Sequence, residues 1–228
     1  RKIINYSFMK VLYAIQGTGN GHITRAKEII PILKEKVELD ILISGNECDL
    51  KLNYPIKYKL HGLNFTHGKK GGIDFWESYK KMNLLRFFKE IKNLPINNYD
   101  LIINDFEPVS AWAAKLNNIK IISLSHQNAV LDKASPTYHK NVLERLILKY
   151  YAPSKTKFGF HFKSYSSAIF TPIIRQEVRN MQAKNKGHYT VYLPAYNLEK
   201  TIKILSKIPI VKWQIFSRET TYLIFKKN

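Results

Sequence analysis

The chain has 228 residues, enough for one large domain or two small ones, and its 45% apolar and 13% aromatic content supports a packed core and excludes a disordered chain. A lone cysteine, Cys48, excludes an internal disulfide framework and a cysteine-rich zinc site, and no apolar run is long enough to cross a bilayer. The formal net charge of +20 is the outlying number: such a field draws in nucleic acid, anionic lipid or phosphorylated ligands, yet an Asn-, Ile- and Lys-rich composition produces the same excess without any such partner.

No charged-then-apolar leader with a cleavage site opens the sequence, so a cytoplasmic location is expected. Residues 1–8 read as an upstream extension before Met9. Residues 10–16 then form a buried strand and 23–36 a helix with Ile29, Ile30, Ile32 and Leu33 as its apolar set. Short apolar runs follow at 39–44 and, more weakly, at 56–60. A long helical segment covers 75–94. A strand at 100–105, a helix at 111–116 and a strand at 120–125 come next, then a helix at 141–150 that ends before Pro153 and an extended stretch at 158–162.

Strands apolar on both faces, alternating with helices, predict an α/β fold: a Rossmann-like parallel sheet with helices on both faces. Ligands of such sheets bind at the carboxyl ends of the strands. That rule singles out three loops, 17–22, 105–108 and 125–128, which hold nearly all the interesting polar residues. After Pro172 the pattern restarts, with strands at 188–193 and 211–216 around a helix at 197–206 that Asn197 caps.

The first loop, GTGNGH over residues 17–22, admits three readings. An ATPase phosphate loop needs a lysine after its last glycine, and none follows Gly21. A dinucleotide fingerprint needs a different glycine spacing and an acid closing the second strand, whereas Asp40 opens it. The third reading is an anion- or sugar-binding turn at a helix N-terminus, where Gly17, Thr18, Gly19, Asn20 and Gly21 let backbone N–H groups approach a ligand. His22 then sits at the mouth as a neutral base for a sugar hydroxyl. A tight strand-to-helix turn that His22 merely caps explains the same spacing.

Asp105 and Glu107 are the alternative catalytic carboxylates. Either could orient His22, bind sugar hydroxyls or cap the helix after Pro108; capping is the commoner role for the aspartate, and Glu107 has the weaker structural reason. The other histidines lack ligand spacing, so no metal and no cofactor is expected. Residues 66–74, THGKKGGID, form a basic glycine-rich loop that grips an acceptor phosphate or merely connects elements. Residues 79–94 combine Met82, Leu85, Phe88 and Ile91 with Lys80, Lys81, Arg86, Lys89 and Lys92: a core helix with a solvated basic face, or one that meets an anionic membrane surface. Between Glu144 and Glu177 lysines alternate with aromatics, but no nucleic-acid motif accompanies them and no nucleic-acid partner is expected.

GTGNGHITRA at 17–26, NDFEPVSAWAAK at 104–115, LSHQNAVLDKA at 124–134 and GHYTVYLPAY at 187–196 together resemble the MurG-type glycosyltransferases of family 28, with their GT-B fold. The resemblance covers about residues 9–217. It implies an acceptor-side Rossmann-like domain over 9–170. Residues 171–228 would then be a linker and the incomplete start of a second Rossmann-like domain that binds donor. It also implies inverting, metal-independent transfer from a nucleoside-diphosphate sugar to a glycan or lipid-linked acceptor at a membrane surface. By the same resemblance Ser125, His126, Gln127 and Asn128 bind acceptor, and Ala195 and Tyr196 stand where a donor phosphate loop belongs, though without its glycines. Most of the donor half is missing from the pattern, so little activity is expected of this chain alone. The rival expectation is a non-catalytic basic α/β module that binds nucleic acid or another polyanion.

Overall fold

The structure is a computed structural model that describes residues 9–45, 50–63, 66–67, 73–74, 82–136, 142–193, 196–217 and 223–225. The chain divides into two compact units, one of residues 1–64 and 82–179, the other of residues 65–81 and 180–228.

In the first unit, β1 (Lys10–Gln16) leads into α1 (Asn20–Lys34), followed by β2 (Glu38–Ser44) and β3 (Tyr58–Leu60). Two short strands, β4 (Thr66–His67) and β5 (Ile73–Asp74), pair antiparallel and fall within the second unit. The first unit resumes with α2 (Leu84–Asn93), a 3-10 turn, β6 (Leu101–Asp105), α3 (Pro108–Leu116), β7 (Ile121–Ser125) and α4 (His126–Leu131). It ends with α5 (Val142–Tyr151), β8 (Thr156–Phe160), β9 (Ile169–Phe170) and the single turn α6 (Gln176–Arg179).

Seven strands form one sheet in the order β3-β2-β1-β6-β7-β8-β9, and every pair is parallel. Strand β1 lies between β2 and β6 and buries side chains on both faces, which is why it reads as an unbroken apolar run. Its alternate residues serve two cores. Leu12 and Ala14 pack with Phe87 and Ile91 of α2 and Val109 and Ala113 of α3, while Tyr13 and Ile15 pack with Ile23, Ala26 and Ile30 of α1. Helices therefore cover both faces, and the α/β expectation holds.

The element boundaries differ from the expected ones in two instructive places. Residues 126–131 are helical, so Gln127 and Asn128 lie on α4 and not in a loop; α4 has six residues, too few to show a periodic pattern. The predicted helix over 75–94 is helical over Leu84–Asn93, where the Asn83 side chain accepts from Arg86 N at 2.9 Å; residues 75–81 fall outside the described ones. The inward residues of α2 are Phe87 and Ile91, and Leu84, Leu85 and Phe88 face solvent.

The second unit contains β10 (Tyr189–Tyr192), α7 (Leu198–Leu205), β11 (Trp213–Phe216) and β12 (Leu223–Phe225). Strands β10 and β11 are parallel around α7, and β12 joins β11 antiparallel. Asn197 caps α7 as its spacing predicts, accepting from Lys200 N at 2.9 Å. Among the described residues no helix is long and apolar enough to cross a membrane.

Candidate active site

In the first unit the strand order reverses between β1 and β6, and the crevice at the carboxyl ends of those two strands is the position where such sheets take ligands. His22, on the first turn of α1, reaches into it. Its Nδ1 lies 2.8 Å from Oδ1 of Asp105, the last residue of β6. Asp105 is fully buried, and a second residue of α1 holds it as well: Arg25 donates Nε to Oδ2 at 2.9 Å and Nη2 to Oδ1 at 2.6 Å. This two-pronged clamp is the strong form of an arginine–carboxylate contact.

The contacts assign the imidazole tautomer. Arg25 Nη2 also stands 3.1 Å from His22 Nδ1, but a guanidinium only donates and the carboxylate only accepts. A bare Nδ1 would set its lone pair against the Asp105 anion at 2.8 Å, so Nδ1 carries the proton and donates it. In the neutral ring Nε2 is then the acceptor, the arrangement that orients a histidine base. Burial opposes charge on Asp105, yet His22 and Arg25 outweigh it and hold the carboxyl below its usual range. Burial, helped by the Asp105 charge, pushes the Tyr13 phenol on β1 well above its usual value, so Tyr13 stays neutral beside the cluster.

Glu107 takes the capping role that is commoner for an aspartate. Its two oxygens accept from Val109 N at 2.8 Å and Ser110 N at 2.6 Å, so the glutamate, and not Asp105, is the N-cap of α3. The physical reason is local: Pro108 occupies the first turn, which places the residue before it at the cap. Glu107 is fully buried, and burial raises its carboxyl despite the hydrogen bonds from Ser110, Ser44 and Val109. Between the two acids, Phe106 adopts φ 58° and packs its ring on Tyr151 at 4.7 Å.

The glycine turn divides into two kinds of position. A Cβ on Gly17 would come within 2.8 Å of Ile43 Cγ2 and 2.9 Å of Ser44 O, so the protein's own packing demands glycine there. At Gly19 and Gly21 nothing lies within 4 Å of such a Cβ. Thr18 is held from below, because Gln16 Nε2 donates to its Oγ1 at 3.1 Å and to Leu63 O at 3.3 Å. Asn20 opens α1, with its Oδ1 3.3 Å from Leu50 N.

On the next strand end, His126 donates Nδ1–H to the Phe160 carbonyl at 2.8 Å, since that oxygen can only accept. The Phe160 ring carries the Arg25 guanidinium at 5.1 Å, so one residue of β8 touches the His22 cluster and His126 alike. The His126 ring is also 6.5 Å from that of His161. Asn128 is occupied structurally, donating to Ser123 Oγ and Phe158 O at 2.9 and 3.0 Å. The Ser125 hydroxyl and Gln127 Oε1 are buried with no partner among the described residues. Ala195 lies outside the described residues, and Tyr196, in the second unit, is 55% exposed. A surface hollow of about 380 Å³ lies at the opposite, amino edge of the sheet, against Tyr99, Asp100, Asn118 and Lys120, and takes no part in this cluster.

The expected residues His22, Asp105 and His126 thus gather along the carboxyl edge of β1, β6, β7 and β8. Arg25 and Phe160 were not anticipated. For Arg25 a signal existed: it follows His22 by three residues, the spacing that stacks two side chains on one helix face.

No curated protein matches the chain by sequence. Among solved structures it is similar to the glycosyltransferase SsfS6 of Streptomyces sp. SF2575, at 11% identity over 92% of this chain and 68% of that one, with a TM-score of 0.48. It is also similar to Acinetobacter baumannii MurG, at 12% identity over 92% of this chain and 60% of that one, with a TM-score of 0.41. The UDP-GlcNAc 2-epimerase of Methanocaldococcus jannaschii shows 16% identity over 72% of this chain and 45% of that one, with a TM-score of 0.40. The chain thus spans well under the full length of these proteins, and likenesses this distant carry no argument. Membership rests on the sequence family: the match to glycosyl transferase family 1 runs over residues 9–221, nearly the whole chain, and the protein belongs to that family.

Proposed function

We propose that this chain supplies the acceptor-binding and base-bearing part of a glycosyltransferase that moves a hexosyl or N-acetylhexosaminyl group from a nucleoside-diphosphate sugar to a glycan or lipid-linked hydroxyl. The observation that carries the reading is the 2.8 Å contact between His22 Nδ1 and buried Asp105 at the switch point of the sheet, in a member of this family. Nε2 of His22 takes the acceptor hydroxyl proton as that oxygen attacks the anomeric carbon. The bond from that carbon to the diphosphate oxygen breaks, the electron pair leaves with the nucleoside diphosphate, and the configuration inverts. Backbone N–H groups at a helix start, such as those the open Gly19 and Gly21 leave accessible, suit the anionic groups of such substrates without a metal. Nε2 of His126, as donor or acceptor, suits a sugar hydroxyl.

In the second unit the strand–helix–strand element of β10, α7 and β11 would serve the donor side. The outer face of α2, with Leu85 and Phe88 86% and 62% exposed beside Lys89 and Lys92, suits peripheral attachment to the anionic cytoplasmic face of a membrane.

A glycan array probed with the full chain tests the acceptor role. Binding to a defined glycan class that weakens in His126→Ala is expected. Steeply salt-dependent binding to single-stranded DNA, with no glycan response, would favour a polyanion-binding module instead. Flotation with vesicles rich in anionic lipid tests the membrane role, and Leu85→Asp/Phe88→Asp is expected to abolish it.

A further inference from the structure

We propose that Arg25 is a positioning residue that supplies the counter-charge to buried Asp105, so that His22 is oriented by the carboxylate without having to carry the balancing proton itself. The inference rests on the reading of His22 as the base.

Charge has to balance in a dry site. Asp105 has no exposed surface, and a buried carboxylate needs a compensating cation or it takes up a proton. Two neighbours can compensate it. If His22 did so, it would do so as imidazolium, with both ring nitrogens protonated and neither able to accept a proton from a hydroxyl. Arg25 removes that requirement. Its fork engages both oxygens, at 2.9 and 2.6 Å, and its side chain is itself only 13% exposed. The Phe160 ring, 5.1 Å from the guanidinium, closes a further side with an uncharged face that favours the cation. Among the described residues the other titratable group at the cluster is Tyr13 from β1, which burial keeps neutral; His126, across Phe160, is tied through Nδ1 to a carbonyl. One anion and one permanent cation therefore balance, and the carboxylate does not depend on an imidazolium for its counter-charge. The i, i+3 spacing of His22 and Arg25 on α1 brings both side chains to one carboxylate.

Nitrogen NMR of the histidine rings in the full chain tests this directly, with the His22 signals assigned by their loss in His22→Ala. Near neutral pH the native chain is expected to show one protonated and one bare ring nitrogen at His22. In Arg25→Met the prediction is two protonated nitrogens at the same pH, and in Arg25→Lys a return to the native pattern. A native pattern retained in Arg25→Met would overturn the proposal. Should Arg25→Met fail to fold, His22→Ala decides: a folded His22→Ala shows that Arg25 alone suffices to hold the buried carboxylate, whereas loss of folding in both variants would show that the histidine is needed as a counter-charge too. These signals report on the cluster whether or not the chain transfers sugar, so failure of the transferase reading leaves this result intact.

Discussion

Gly159 on β8 lies so close to Ala129 on α4 that a Cβ added to the glycine would stand 2.6 Å from the Ala129 nitrogen and 2.9 Å from its Cα. Backbone atoms cannot swing aside as a side chain does, so the short helix that bears His126 is docked on β8 by the absence of a methyl group. Gly159→Ala is expected to destabilise the first unit by about 1–3 kcal/mol, toward the upper end because the clash is with main chain. Denaturant midpoints measure it. A near-neutral result would mean that α4 does not sit on β8 in this way.

A second prediction separates the two acids around Phe106. Glu107→Ala removes the α3 cap and leaves the Val109 and Ser110 amides buried without partners, at a cost of about 2 kcal/mol or more. Glu107→Gln keeps one carbonyl acceptor and should lose less. Neither change touches the His22–Asp105 contact, so the His22 ring-nitrogen pattern is expected to survive Glu107→Gln. If that variant instead disturbs the histidine while the fold stays intact, the two acids do not divide the capping and orienting roles between them.

Much of the site was legible because of where it sits. Strands buried on both faces are written as continuous apolar runs, so the ends of β1, β6 and β7, and the polar loops beyond them, could be placed from the chain alone. The roles of Asp105 and Glu107 were not, although half of the answer was local. A proline in the first helical turn marks the residue before it as a cap, which points to Glu107. The other half is tertiary: Asp105 is recognised by Arg25, 80 residues away in sequence, and no spacing within 105–108 encodes that. Helix α4 escaped for a different reason, since six residues make less than two turns at the helical period of 3.6.

The two acids also carry opposite pH signatures. The folded Asp105 binds its proton less readily than the unfolded chain does, because His22 and Arg25 overcome the opposing effect of burial. Its contribution to stability is complete above the unfolded value, about 3.9, and is lost as pH falls below it. Burial makes folded Glu107 bind its proton more readily, so stability declines as pH rises above the ordinary glutamate value of about 4.3, until the raised folded value is passed. Denaturant midpoints of native chain, Asp105→Asn and Glu107→Gln, compared over acidic to neutral pH, should therefore diverge in opposite directions. The acid-side loss should shrink in the first variant, and the decline on raising pH should vanish in the second. Parallel curves for all three would contradict both assignments.

The glycine turn gives the last prediction, because its positions fail differently when a methyl group is added. Gly17 donates its N–H to Ser44 O at 2.6 Å, and its Cα faces Ile43 and the chain at Ser44 and Gly45. Gly17→Ala must push β1 and β2 apart at their ends and is expected to cost about 1–3 kcal/mol of stability. Gly21 is the second residue of α1 with open space in front of it, and there alanine is the better helix former, by at most the ~1 kcal/mol of a helix interior. Gly21→Ala should therefore melt at or above the native temperature. If the open space is where an acceptor or its anionic group approaches the helix start, the same variant should lose ligand binding while gaining stability. A Gly21→Ala chain that is more stable and binds the glycan as well as the native chain would show that the turn is only a way of joining a strand to a helix.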